Sequence, residues 1–125
     1  GAGIGLAPEL TGTTAAMALD DSGFARLADG AMDRLMDRIE GGCPGADAEL
    51  EGGILTVDLA DGGRYVLNKH GLLKQLWLSS PKSGAWHFAY DEAKREWRST
   101  RGPETLPQVL ARELGEATGA AVAFD

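Results

Sequence analysis

Four carboxylates recur at close spacing in the first third of the sequence: Asp29, Asp33, Asp37 and Glu40. On a helix, at about 100° per residue, they fall within roughly 80° of one another and share one exposed face. Carboxylate oxygens are hard ligands that suit Fe(III), Ca²⁺, Mg²⁺ and Mn²⁺ and are acceptable to Fe(II). A row of them closes no cage, so each ion would keep most of its waters and exchange quickly. Two other interpretations are a solvated helix face and a negative surface that steers the protein toward a basic partner.

A second group of candidates comes from strand alternation. In the strand predicted over 74–80, Leu76 and Leu78 point to one face and Gln75, Trp77 and Ser79 to the other. The same rule places Asn68 and His87 outside, opposite an inward group of Tyr65, Leu67, Trp86, Phe88 and Tyr90. An exposed indole with polar neighbours is a candidate protein-binding anchor, because Trp is over-represented at interface hot spots. The other interpretation is that Trp77 lies under a loop or long side chains.

Catalytic patterns are absent from the sequence. It holds no nucleophile elbow, Walker loop, dinucleotide fingerprint, zinc helix motif or Glu-x-x-His pair of a di-iron bundle. His70 and His87 are not at ligand spacing. Cys43 is the single cysteine, which excludes a disulfide framework, and no basic or His neighbour activates its thiol.

Two helices and six strands would position these residues. The first helix is predicted to begin after Asp21 or Ser22 and to end at Glu40, and its apolar stripe is Phe24, Leu27, Ala28, Ala31, Leu35 and Ile39. Period-two patterning predicts strands over 47–51, 54–60, 64–70, 74–80, 85–91 and 96–100. A last helix over 106–117 begins with a capping box of Thr105 and Gln108, and its apolar face is Leu106, Val109, Leu110 and Leu114.

Consecutive strands on short loops predict an antiparallel meander. The predicted fold class is α+β, a two-layer αβ sandwich with two terminal helices on one face of a sheet of about six strands. We expect residues 1–19 to be a flexible leader, or a remnant ahead of a native start at Met17, residues 20–118 to form the domain and residues 119–125 to be a C-terminal tail.

Charge narrows the classes of partner. The 125 residues carry a net charge of −7, which argues against nucleic acid and anionic membranes as partners. Residues 20–61 hold eleven acidic and three basic residues, whereas residues 62–125 hold seven acidic and nine basic ones. This asymmetry argues against an acidic mimic of nucleic acid, which would spread its acids over both halves.

A long motif in the second half of the chain resembles the frataxin signature. It consists of Asn68-Lys69, then Lys74-Gln75-Leu76-Trp77-Leu78-Ser79-Ser80-Pro81, then Ser83-Gly84 and His87-Phe88. Gly53-Ile54-Leu55-Thr56-Val57 before it and Glu96-Trp97 after it fit the same pattern. The resemblance covers about residues 22–118 and implies the same two-helix, antiparallel-sheet fold.

The resemblance also implies a function in iron–sulfur cluster biogenesis, in which frataxins bind the cysteine desulfurase–scaffold complex and modulate sulfur transfer. It implies weak binding of iron (Fe²⁺ or Fe³⁺) by an acidic ridge whose matching positions are Asp29, Asp33, Asp37, Glu40, Asp47, Glu49 and Glu51. The family's partner-binding sheet surface matches Asn68, Gln75, Trp77 and His87. Two positions depart from the family pattern. Relatives often have further acids in place of Gly41-Gly42-Cys43-Pro44, and some bacterial members have a metal-binding His in place of Ala25. The metal site of this chain should therefore be weaker or shifted. His70 stands where many relatives have Gln, which leaves its role open.

We therefore expect a non-enzymatic regulator or iron donor of cluster assembly. The alternative is a ferroxidase and iron-storage protein that oxidises Fe(II) in oligomers. A monomer is expected, with an iron-dependent oligomer as the alternative. The short link between the first helix and the first strand resembles that of bacterial family members, which favours the bacterial cytoplasm. The run Leu78-Ser79-Ser80-Pro81 is common to mitochondrial and alphaproteobacterial members, so the mitochondrial matrix is the alternative location.

Overall fold

The computed structural model of the protein describes residues 19–121 and residue 124. Helix α1 (Asp21–Gly42) precedes six strands, and helix α2 (Leu106–Thr118) follows them. The strands are β1 (Ala46–Glu51), β2 (Ile54–Leu59), β3 (Arg64–His70), β4 (Gln75–Ser80), β5 (Gly84–Asp91) and β6 (Glu96–Ser99). They form one antiparallel sheet in chain order, so the predicted α+β meander with two terminal helices is confirmed. The predicted leader lies outside the described residues except for Leu19, as do residues 122, 123 and 125 of the predicted tail.

Helix α1 begins one or two residues earlier than its sequence signals suggested, and it ends at Gly42, two residues beyond the predicted end at Glu40. The N-cap is Asp20, whose Oδ1 accepts a hydrogen bond of 2.7 Å from the Gly23 backbone N–H. Either predicted cap, Asp21 or Ser22, is therefore already inside the first turn. The buried stripe includes Met32, which the prediction lacked, whereas Leu27 is only half-buried.

The core lies between the helices and one face of the sheet. Its largest fully buried side chains from the sheet are Leu55, Val57, Tyr65, Leu67, Leu76 and Phe88. Trp86 and Tyr90 share the inward face, as predicted, but are half-buried and pack against the edge of the core. Burial therefore alternates along the central strands, which leaves the opposite face of the sheet open.

A buried carboxylate joins α2 to the sheet. Glu113 is 3% exposed, and its Oε1 accepts hydrogen bonds from the Tyr65 hydroxyl at 3.0 Å and the Ser80 hydroxyl at 2.6 Å. Its Oε2 accepts another from the Ser83 hydroxyl at 2.5 Å. Burial, together with the bond to Glu113, raises the pKa of Tyr65 far above its ordinary value. These bonds tie the β4–β5 hairpin to the helix layer.

Candidate functional site

The centre of the open sheet face is an indole held between two imidazoles. The Trp77 ring lies with its centroid 4.0 Å from that of His70 and 4.2 Å from that of His87. The interplanar angles are 12° and 14°, so both imidazoles stack on the indole faces. The indole Nε1–H donates a hydrogen bond of 2.9 Å to Gln75 Oε1. Both ring faces and the polar edge of Trp77 are therefore held in one orientation.

Strand register explains how these residues meet. Trp77 on β4 lies opposite Asn68 on β3 and His87 on β5, and Ile54 on β2 lies opposite Asn68. Leu76 and Leu78, the neighbours of Trp77 in the strand, are 0% and 2% exposed on the other face. The predicted outward direction of Asn68, Gln75, Trp77 and His87 agrees with this register. We call Asn68, His70, Gln75, Trp77 and His87 the Trp77 patch.

His70 belongs to the patch although its role was left open by the sequence. It lies opposite Gln75 at the end of the β3–β4 ladder, which brings its ring diagonally onto Trp77. Its Nδ1 accepts a hydrogen bond of 3.3 Å from the Leu73 backbone N–H in the following turn. The diagonal neighbour rule for antiparallel strands was the signal that could have identified this contact.

Apolar side chains extend the patch toward one end of the sheet. Among the described residues, the exposed large hydrophobic side chains are Ile54, Leu72 and Leu73, at 43%, 88% and 55% exposure. Leu72 and Leu73 form the β3–β4 turn directly after His70, and Ile54 lies in the cross-strand row of Asn68 and Trp77. Sequence reasoning did not single them out. Exposed apolar side chains of this kind are what the core of a protein interface needs.

The acidic residues follow a different arrangement. The acidic ridge, defined as Asp29, Asp33, Asp37 and Glu40 on α1 with Asp47, Glu49 and Glu51 on β1, is exposed along its whole length. On edge strand β1, Ala48 is buried, so the three acids alternate onto the open side. Within residues 19–121 and 124, no group of three or more His, Cys, Asp or Glu is close enough to hold one metal ion. Asp29 also forms a salt bridge of 2.8 Å with Lys69. The ridge thus supplies oxygen donors suited to a hydrated cation, but no compact ligand set.

Cys43 lies in the core and not in an open loop. Its side chain is 3% exposed, and its backbone N–H caps α1 by bonding to the Ile39 carbonyl at 2.9 Å. Burial raises the pKa of the thiol, which disfavours the thiolate that nucleophilic or metal chemistry needs.

Within the described part of the chain, no helix combines the length and the apolar character that a membrane span requires.

Comparison with known proteins gives one consistent result. Residues 17–120 match the sequence model of the Frataxin-like domain, a range that includes both helices and all six strands. The chain is 35% identical to the iron–sulfur cluster assembly protein CyaY of Pseudomonas fluorescens over 109 residues. The aligned region covers 87% of this chain and 98% of that protein.

Solved structures agree. A frataxin from Psychromonas ingrahamii superimposes with a TM-score of 0.77 at 23% identity, over 85% of this chain and 98% of that one. At that identity the likeness concerns the fold alone. The trimeric frataxin of the yeast Saccharomyces cerevisiae, complexed with ferrous iron, gives a TM-score of 0.66 at 34% identity, over 74% of this chain and 86% of that one.

Proposed function

Because this chain belongs to the Frataxin-like domain family, we propose that it is an iron-binding regulatory protein of iron–sulfur cluster assembly. In this proposal it binds a cysteine desulfurase–scaffold complex through the Trp77 patch and modulates sulfur transfer. The similar CyaY of Pseudomonas fluorescens is an iron–sulfur cluster assembly protein, which supports a role for this chain in the same process. The observation that carries the proposal is the indole fixed between His70 and His87 on the open sheet face.

The Trp77 patch has the properties of an interface anchor. A side chain that is already held in one orientation loses little conformational entropy on binding, so more of its contact energy contributes to affinity. Trp is enriched among hot-spot residues, and Ile54, Leu72 and Leu73 add exposed apolar area beside it. The amide groups of Asn68 and Gln75 give polar contacts at its margin.

The acidic ridge has two compatible roles in this proposal. Its exposed carboxylates attract a basic partner surface and raise the rate of encounter. They also bind iron weakly as cargo, since carboxylate oxygens accept a hydrated Fe²⁺ or Fe³⁺ ion without a closed cage. Partner binding measured with and without Fe(II) separates the two roles: an iron-independent loss in ridge variants supports steering alone.

A binding assay tests the proposal. A bacterial cysteine desulfurase–scaffold complex is immobilised, and wild type, Trp77→Ala and Trp86→Ala are compared at equal folded concentration. We expect Trp77→Ala to lose binding and to leave the sulfide production of the desulfurase unmodulated. Trp86→Ala is the matched control, since it removes an indole that packs against the core from β5; it should lower stability and retain binding. Equal binding by wild type and Trp77→Ala would overturn the assignment of the interface.

A second candidate function is supported by the trimeric, ferrous-complexed yeast relative. In this reading the chain oxidises Fe(II) and stores iron in oligomers. Oxygen uptake on addition of Fe(II), together with a rise in mass by light scattering, would favour it. A monomer that changes desulfurase turnover without oxygen consumption favours the regulatory role.

For location we propose the bacterial cytoplasm, because the similar CyaY protein comes from a bacterium, Pseudomonas fluorescens. The mitochondrial matrix is the alternative.

A further inference from the structure

A cavity of about 390 Å³ opens on the helix side of the molecule, between α1, the start of α2 and the β5–β6 turn. Its apolar wall includes Leu35, Trp97, Leu106 and Phe124. Ligand pockets in proteins are commonly about 300–1,000 Å³, so this volume accommodates a small organic molecule.

The polar side chains that line the cavity are mainly cationic. They are Arg34 and Arg38 from α1 and Lys94 and Arg95 from the β5–β6 turn, on a chain whose net charge is −7. The one lining carboxylate, Glu96, is engaged by the Arg98 guanidinium. Among the described residues, no carboxylate forms a salt bridge with Arg34, Lys94 or Arg95. Arg95 has a φ of 54°, a left-handed conformation that is unfavourable for a residue with a Cβ.

Helix α1 separates its charges by rows. Asp29, Asp33 and Asp37 follow one another at four-residue spacing, and so do Arg34 and Arg38. Residues four apart lie on one side of a helix, and the basic row lines the cavity whereas the acidic row does not. The cationic character of the cavity is therefore local and opposite in sign to the acidic ridge.

We propose that this cavity binds a small organic anion. Its apolar body, an aromatic ring or short acyl chain, would lie on Trp97, Leu35 and Leu106, and its anionic group would meet Arg34, Lys94 and Arg95. Charge-assisted hydrogen bonds to guanidinium and ammonium groups would fix its orientation. The first backbone donors of α2 are partly used by its own capping box at Thr105 and Gln108, so side chains supply the anion contacts. The cavity lies on the helix side of the sheet and the Trp77 patch on the other, so this proposal does not rest on the proposed function.

A matched pair of probes tests the chemistry. Fluorescence titration compares 8-anilinonaphthalene-1-sulfonate with N-phenyl-1-naphthylamine, which has the same apolar body without the sulfonate. We expect saturable binding of the sulfonate to the folded protein and at least about tenfold weaker binding of the neutral compound. Amide and indole shifts in nitrogen–proton NMR spectra should move at Trp97, Leu35 and Leu106, which locates the probe without any variant.

A double variant tests the residues. Arg34→Gln/Lys94→Gln should weaken binding of the sulfonate probe by about tenfold or more. Arg26→Gln/Arg112→Gln should leave the affinity for that probe within about twofold of the wild-type value. The control pair removes the same charge from α1 and α2 outside the cavity. Lack of saturable binding to the wild type, equal affinity for both probes, shifts confined to other residues, or equal losses in the two double variants would each overturn the proposal.

Discussion

The Trp77 patch and the acidic ridge are the two surfaces that the proposed function uses, and they are organised in opposite ways. Trp77 has fixed geometry with little charge: two stacked rings at 4.0 and 4.2 Å and a satisfied indole N–H. The ridge has much charge with little fixed geometry: exposed acids spread over α1 and β1.

Under the proposed function, this difference predicts that the two surfaces contribute to different steps of binding. Exposed charges act over distance and are screened by salt, so they change the rate of encounter. A rigid aromatic anchor acts only in contact, so it changes the lifetime of the complex. The contrast also predicts that substitutions in the two regions will differ in kind, and the following experiments test that contrast.

The largest effect on stability is expected at Glu113, a carboxylate that buried hydrogen bonds hold in one position. Glu113→Ala leaves the hydroxyls of Tyr65, Ser80 and Ser83 without their buried acceptor, so the free energy of unfolding should fall by about 3 kcal/mol. Urea denaturation measures the change. Asp33→Ala is the control from the ridge and should change stability by no more than about 0.5 kcal/mol. Equal effects would mean that the two kinds of carboxylate do not differ as described.

A smaller effect is expected when one stacking partner is removed. His70→Ala frees one face of the Trp77 indole, so partner affinity should fall by about fivefold through lost preorganisation. Biolayer interferometry with the desulfurase–scaffold complex measures this change in affinity. Ser79→Ala, on the same face of β4, is the control. Unchanged affinity in His70→Ala would show that the stack does not preorganise the anchor.

Alkaline pH should weaken the network that attaches the patch-bearing hairpin to α2. The pKa of Tyr65 is raised in the folded protein, so the unfolded chain loses its proton first as pH rises. The contribution of Tyr65 to the free energy of unfolding is complete below its ordinary pKa of 10.0 and declines as pH rises above that value. Because the pKa of Cys43 is also raised, its contribution declines in the same way from its ordinary pKa of 9.0 upward. Urea unfolding between pH 8 and pH 11 should show a shallower decline in Tyr65→Phe than in wild type. Tyr90→Phe, which leaves Glu113 and its donors in place, should follow the wild type, and an identical slope in Tyr65→Phe would contradict the assignment.

The smallest effect is expected from cations at the ridge. Like charges at i, i+4 repel by a few tenths of a kcal/mol per pair, so millimolar Ca²⁺ or anaerobic Fe(II) should raise the Tm by about 1 to 3 °C. Differential scanning fluorimetry with Asp33→Asn/Asp37→Asn as the comparison measures this shift. An unchanged wild-type Tm would mean that the ridge is not a usable cation site.

Local signals were enough to predict most of the architecture. Turn dipeptides such as Gly52-Gly53 and period-two patterning defined the strands to within a residue or two, because both act over a few positions. The capping box at Thr105 and Gln108 formed as predicted for the same reason. Alternation also assigned Trp77 to the open face.

Contacts distant in sequence were harder to predict. Glu113 meets Tyr65 across 48 residues and Ser80 across 33, so no local pattern identifies its partners. Its place in the apolar row of Leu106, Val109 and Leu110 was the available signal, since a carboxylate at a core position needs buried donors. The prediction that the acids of α1 lie on an exposed face is confirmed. Whether such acids can bind one ion together depends on the distances between them in the folded protein, which their spacing in the sequence does not determine.

The most direct test of whether the two surfaces contribute to different steps of binding is the kinetics of association with the desulfurase–scaffold complex at two ionic strengths. Wild type, Trp77→Ala and Asp33→Asn/Asp37→Asn would be compared by biolayer interferometry. We predict that Trp77→Ala dissociates faster, by about thirtyfold, with little change in its association rate. The ridge variant should associate more slowly at low salt and dissociate at the wild-type rate. A Trp77→Ala complex that dissociates as slowly as the wild type would contradict the central claim.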